Sequence, residues 1–247
     1  MSDLAGKLAL VTGATAGIGR AVAVRLAENG AEVVVHGRDP ERGAEVVAGI
    51  ARRGGRARFV AADLADAADT ARLAVEAGEV DILVNNAGIY EFAPTADTSV
   101  ESVDRHLAIN TRAPFMLVAA LAPGMVKRGS GVIVNVSSTA ATAVAPIGAA
   151  YGASKAALET LTRYWATEFG GAGVRVNGVS SGPVRTSGTE PLLAAFPDAL
   201  DQTNARGRIG DPEEIADVVL FLVGDRSSYV NGTVMAVHGG ERSLLPG

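Results

Sequence analysis

The strongest constraint on this chain is an alternation, repeated from end to end, of short apolar runs with longer amphipathic segments. The runs are Leu8 to Thr12, Glu32 to His36, Arg58 to Ala61, Ile82 to Asn85, Val132 to Val136, Val174 to Val179 and Thr233 to Val237. Most are rich in Val, Ile and Leu without polar alternation, the pattern of parallel strands covered on both faces. Helical patterns lie between them: Gly19 to Asn29, Pro40 to Arg53, Asp66 to Ala77, Val100 to Lys127 with an interruption expected at Pro114, Tyr151 to Phe169, and Pro212 to Val223. Two helix starts are well marked, because Asp39-Pro40 and Asp211-Pro212 each set a capping carboxylate before proline, and Glu214 completes a capping box. Repeated crossovers of this kind predict an α/β fold, a doubly wound seven-stranded parallel sheet with helices on both faces. No linker or low-complexity tract divides it, so residues 1–247 read as one domain.

Composition removes several function classes. The chain has no cysteine, which excludes disulfides and thiolate metal sites. A net charge of −5 and the lack of a basic run argue against nucleic acid. Met1 to Lys7 lacks the regions of a signal peptide, and Ala113 to Val126 is too short and too proline-interrupted to span a bilayer, so a cytoplasmic protein without a membrane segment is expected. His36, His106 and His238 show no ligand spacing, and no metal site is predicted. Ser138 lacks a Gly-x-Ser-x-Gly elbow, which disfavours acyl transfer.

The first strand runs into Thr12-Gly13-Ala14-Thr15-Ala16-Gly17-Ile18-Gly19 and then a helix. In a chain with 30 glycines that spacing is weak by itself, but its strand–helix context suits a dinucleotide whose pyrophosphate rests on a helix N-terminus. The second strand ends in His36-Gly37-Arg38-Asp39. Asp39 has a structural role as N-cap, while Gly37 leaves room and Arg38 offers a planar fork for a 2′-phosphate, which favours NADP(H) over NAD(H).

The most informative pattern is Tyr151-Gly152-Ala153-Ser154-Lys155 at a helix start. Tyr and Lys four apart share a helix face, where an ammonium can depress a phenol's pKa. A Tyr-x3-Lys pair is expected by chance only roughly 0.05 times in a chain with so few of either residue. Ser138, just beyond the fifth strand, stands at the edge where doubly wound sheets bind ligands, with Ser137 its competitor. Asn85-Asn86-Ala87-Gly88 ends the fourth strand at the same edge, and Asn110 sits within a helical pattern that its amide does not favour.

Together, Thr12-Gly13-x3-Gly17-x-Gly19, Asp63-Leu64, Asn85-Asn86-Ala87-Gly88, Asn110, Ser138, Tyr151-x3-Lys155 and Val184-Arg185-Thr186 resemble the short-chain dehydrogenase/reductase family across essentially the whole chain. The look is closest to its 3-oxoacyl-(acyl-carrier-protein) reductase-like branch. The resemblance implies a Rossmann fold and a catalytic set of Asn110, Ser138, Tyr151 and Lys155. In it Tyr151 is the general acid/base, Lys155 lowers the phenol's pKa and holds the nicotinamide ribose, and Ser138 polarises the carbonyl. Asn110 would bend its helix and hold a water linking Lys155 to solvent. Cofactor contacts are expected from Gly13, Thr15, Ala16, Gly17, Ile18, Gly19 and Arg38, from Asp63 and Leu64 at the adenine, from Asn86, Ala87 and Gly88 on the adenosine side, and from Val184 and Thr186 at the carboxamide. Ser181-Gly182 replaces the family's usual Pro-Gly, which is expected to loosen the following segment, and His238 replaces a usual aspartate.

The expected activity is NADP(H)-dependent hydride transfer between the nicotinamide and a carbonyl or secondary alcohol, the substrate being a ketone or a 3-oxoacyl thioester, free or carrier- or CoA-linked. A non-catalytic dinucleotide sensor, and an epimerase, dehydratase or enoyl reductase on the same scaffold, stand as alternatives. Residues 187–208 are expected to form a substrate lid, and Tyr90, Phe92, Val144, Ile147, Leu192 and Phe196 to line the pocket. Arg185 reads either as an anchor for an acidic group or as a solvated loop residue. The broad apolar belt of Ala156, Ala157, Leu158, Leu161, Trp165, Ala166 and Phe169 predicts a homodimer or homotetramer.

Overall fold

The computed structural model describes residues 4–143, 147–190 and 201–240. The alternation read from the sequence folds as β1 (Leu8–Val11), α1 (Gly17–Glu28), β2 (Glu32–Gly37), α2 (Pro40–Arg52), β3 (Arg56–Ala61), α3 (Ala67–Ala77), β4 (Ile82–Asn85), α4 (Val100–Leu107), α5 (Ala113–Arg128), β5 (Gly131–Ser138), α6 (Ala149–Gly170), β6 (Val174–Ser181), α7 (Pro212–Val223) and β7 (Val234–Val237). All strand pairs are parallel, in the order β3-β2-β1-β4-β5-β6-β7. Between β1 and β4 the direction of winding reverses, which opens a crevice at the carboxyl edge of the sheet.

Successive strand residues feed two cores. Ala9, Val11, Val33 and Val35 join Val22 and Leu26 of α1 and Val219 and Leu222 of α7 on one face. Leu10, Val34, Leu83 and Ile133 join Leu73, Leu117, Leu158 and Trp165 on the other. Helix starts follow their sequence signals: Asp39 Oδ1 accepts the N–H groups of Glu41 and Arg42, and the Asp211 N–H donates to Glu214 Oε2 at 2.9 Å.

The long Val100–Arg128 segment would suffice by length and composition to cross a membrane, but Leu117, Leu121 and Met125 are buried in the second core. Its irregularity falls before the expected proline, as a π-helical turn over Ala108–Arg112. Pro114 sits in the first turn of α5, where its missing N–H is tolerated. One further expectation shifts. Leu158, Trp165 and Ala166 of the α6 belt are covered by the chain's own core, so that belt does not itself require a partner. Ser181 ends β6 paired with Val237, and Gly182 donates its N–H to the Val237 carbonyl at 3.1 Å.

Candidate active site

The carboxyl edge holds a cleft of about 1190 Å³, larger than the ~300–1,000 Å³ usual for a single small ligand. Every expected cofactor contact lines it: Gly13, Thr15, Ala16, Gly17, Ile18, Gly19, Arg38, Asp63, Leu64, Asn86, Ala87, Gly88, Tyr151, Lys155, Val184 and Thr186.

One half of the cleft is a cradle made by missing side chains. Gly13 has φ +63°, and a Cβ there would come within 2.9 Å of the Ala87 Cα. Gly17 has φ +50°, and its Cβ would lie 2.9 Å from Thr186 Cγ2, so the segment after β6 closes directly over the glycine loop. α1 begins after Ala16, which provides no side-chain cap. Its first-turn N–H groups therefore face the cleft without a side-chain acceptor, an arrangement suited to a phosphate.

The ribose end corrects one inference and adds a residue. Gly37 does not open space for a ligand, because a Cβ there would meet Thr15 Cγ2 at 2.5 Å; the room belongs to Thr15. Arg42, in the first turn of α2, lines the cleft together with Arg38, and both are exposed. The sequence carried the signal for Arg42 in its position four residues after Arg38, just past a helix cap. Asp63 is fixed by its own loop, its Oδ1 accepting the Ala65 N–H at 3.0 Å.

Asn86 contributes backbone to the cleft while its side chain is used elsewhere. Its amide donates to the carbonyls of Thr12 at 2.9 Å and Gly13 at 3.2 Å, and the buried Thr12 hydroxyl accepts the N–H groups of Asn86 and Ala87, each at 3.0 Å. These bonds tie the loops after β1 and β4 into one unit.

The other half carries the titratable groups. Tyr151 stands in the first turn of α6 and lines the cleft together with Ser138 at the end of β5. Ser137 is decided against as the active hydroxyl, because it is buried and donates to Glu159 Oε1 at 2.9 Å. The buried Lys155 ammonium donates to the Val136 carbonyl at 2.8 Å. Asn110, fully buried, accepts the Ile89 N–H through Oδ1 and donates through Nδ2 to the Ile89 carbonyl and Ser154 Oγ, all at 2.9 Å. The π turn thus brings Asn110 against the loop after β4 and the helix that bears Tyr151.

Aromatic rings enclose the tyrosine. Phe92 packs edge-on to Tyr151 at 5.8 Å and Tyr90 at 6.3 Å, and the Tyr90 hydroxyl lies against Gly188. His106, which the sequence reading set aside, holds this wall by accepting the Glu91 N–H at 3.1 Å. Ile147 is exposed outside the cleft lining, while Val144, Leu192 and Phe196 fall outside the described residues.

The comparisons with known proteins agree with this geometry. The family model described as Enoyl-(Acyl carrier protein) reductase matches residues 13–241. A solved short chain dehydrogenase/reductase family protein is 49% identical, with a TM-score of 0.90, covering 96% of this chain and 98% of that one. The chain belongs to the short-chain dehydrogenase/reductase family. Within it, gluconate 5-dehydrogenase of Gluconobacter oxydans is 38% identical over 96% of this chain and 95% of its own. A 3-oxoacyl (acyl-carrier-protein) reductase from Agrobacterium tumefaciens C58, solved with NADP bound, is 33% identical, with a TM-score of 0.92 and coverage of 96% and 95%.

In this short-chain dehydrogenase/reductase the phenol is not depressed as the Tyr-x3-Lys spacing suggested. Burial, with a smaller contribution from Tyr90, pushes Tyr151 above its ordinary 10.0, opposed by the Ser138 hydrogen bond. Lys155 is itself driven down to about 8 by burial, and its ammonium is directed at the Val136 carbonyl. A raised phenol remains protonated at neutral pH, which suits a proton donor and disfavours a base.

Proposed function

We propose that this oxidoreductase is an NADP(H)-dependent carbonyl reductase and secondary-alcohol dehydrogenase, with Tyr151 as proton donor in the reductive direction. The observation that carries this reading is that Tyr151, Ser138 and Lys155 line one cleft together with an open glycine cradle. Bound in that cradle, the dinucleotide supplies the hydride. Its phosphates are assigned to the glycine loop and the start of α1, its adenine to Asp63 and Leu64, and its nicotinamide end to Lys155, Val184 and Thr186. Ser138 donates to the substrate carbonyl and orients it, and Tyr151 delivers the proton to the developing alkoxide. The Asn110 amide, bonded to Ile89 and Ser154, serves to fix the loop after β4 against α6.

Arg38 and Arg42 support NADP(H) as the cofactor. The Arg38→Ala variant is expected to bind NADPH about tenfold or more weakly while NADH binding changes by less than about threefold, the loss of one charge-assisted contact. Equal losses for the two cofactors, read by fluorescence titration, would remove the preference.

The reaction's pH dependence follows from the raised phenol. Reduction is expected to stay level across neutral pH, and alcohol oxidation to accelerate as pH climbs toward and beyond 10.0, where the phenolate forms. An oxidation rate already level near pH 7 (about neutrality) would contradict this assignment.

The substrate side of the cleft supports a neutral, partly apolar carbonyl compound, because Tyr90, Phe92, Ala140 and Thr142 supply it with rings and small groups rather than charge. A 3-oxoacyl thioester and a simple ketone both meet that description. NADPH oxidation against ketones, 3-oxoacyl thioesters, keto sugars and enoyl thioesters, with product analysis, tests it. Turnover confined to enoyl thioesters would replace carbonyl reduction with alkene reduction. A homodimer or homotetramer is part of the same proposal. It is supported by the exposure of Val100 and Leu107 on α4, Phe115 on α5 and Tyr164 on α6, helices that pack together.

A further inference from the structure

His36 is a buried histidine that the reaction does not use, and it lines the cleft beside the cradle. It lies in β2 with 3% exposure, and both ring nitrogens are engaged. Nδ1 accepts the Gly13 N–H at 3.1 Å, which requires a lone pair there. Nε2 lies 3.1 Å from the Ala62 carbonyl, which only accepts, so the proton is on Nε2. The residue's own carbonyl accepts the Ala14 N–H at 2.8 Å. One side chain therefore joins the first residues of the glycine loop to the carbonyl immediately before Asp63.

Both segments line the cleft, at Gly13 and at Asp63. We propose that His36 is a positioning residue for dinucleotide binding: the lone pair on Nδ1 of its neutral ring, engaged by the Gly13 N–H, sets which way the glycine loop faces. The proposal rests on the reading of this cleft as the dinucleotide site. Gly13 holds its turn at φ +63° with this N–H engaged by the ring, so the acceptor fixes which way the loop faces. Asp63 and Asp69 are the charged groups that face the ring, and both favour its protonation. Burial outweighs them and holds the imidazole down to about 4, so the brace stays intact through the neutral range.

The test uses NADPH fluorescence titration of the purified chain and its variants. His36→Asn places an amide oxygen where Nδ1 stands and keeps an acceptor for Gly13; His36→Gln carries its amide farther out, toward Ala62. The expected result is NADPH affinity within about threefold of the parent for H36N and a loss of about tenfold or more for both H36Q and His36→Leu, with kcat at saturating cofactor little changed. If H36L does not fold, the H36N and H36Q pair decides alone. Equal affinities for H36N and H36Q overturn the proposal, since they reduce the ring to core filling. A parent chain that fails to bind NADPH overturns the assignment of the cleft instead.

Discussion

Tyr151→Phe is expected to lower turnover by about 10²–10⁴-fold, the usual worth of a positioned acid, while NADPH affinity stays within about twofold. The substitution removes one oxygen and keeps the ring that packs against Phe92 at 5.8 Å and Tyr90 at 6.3 Å, so the cleft retains its shape. Ser138 keeps its second bond, accepting the Ala140 N–H at 3.2 Å, and Lys155 keeps the Val136 carbonyl. The neighbouring Ser137 hydroxyl is no replacement, because it is committed to Glu159. Steady-state kinetics on any accepted carbonyl, with a cofactor titration beside them, check this. A variant with near-parent kcat would move the acid to another group.

The second large effect is expected at Gly19. A Cβ there meets the Gly13 carbonyl oxygen, which is backbone, and the Asn86 amide, which is held by its bonds to Thr12 and Gly13. Neither can swing away as the end of a free side chain would, so the start of α1 has to retreat from the glycine loop. Close approach of helix and loop is what the third glycine of such a turn provides. Gly19→Ala should therefore cost about 1–3 kcal/mol of stability and weaken NADPH binding by more than about tenfold. Gly49→Ala is the control: it lies inside α2, where a Cβ meets only Arg52 at 3.7 Å, and relief of glycine's helix penalty should stabilise it by roughly 0.5–1 kcal/mol. Thermal unfolding and fluorescence titration separate the two variants. A Gly19→Ala protein that binds NADPH like the parent would show that the loop does not depend on this contact.

The architecture was legible because each of its determinants is local. Strands buried on both faces advertise themselves as unbroken Val, Ile and Leu runs, and aspartate before proline marks a helix start wherever the chain goes next. The cradle glycines, Ser138, Tyr151 and Lys155 were legible for a related reason: they sit at fixed offsets from strand or helix ends, and the sheet gathers those ends at one edge. What the sequence concealed depends on partners far along the chain. The π turn is at Ala108–Arg112 rather than at Pro114, in register with bonds from Asn110 to Ile89 and Ser154, 21 and 44 residues away. Gly37 was read as room for a phosphate, yet it accommodates Thr15, which arrives from another loop. The spacing to Lys155 points to a depressed phenol, but burial decides the direction, and burial depends on how distant segments pack. The acceptor role of His36 toward Gly13 spans 23 residues and leaves no local pattern.

The central claim is that this cleft moves a hydride between a nicotinamide and a carbonyl carbon while Tyr151 supplies the proton. The most direct measurement gives the protein NADPH carrying deuterium at the transferable position, with a ketone or 3-oxoacyl thioester it turns over, and locates the label by mass spectrometry and NMR. One deuterium is expected, on the former carbonyl carbon, in a single configuration, with the new hydroxyl proton drawn from solvent. Label on an alkene carbon, or cofactor that binds but is not consumed by any carbonyl in the panel, would contradict it.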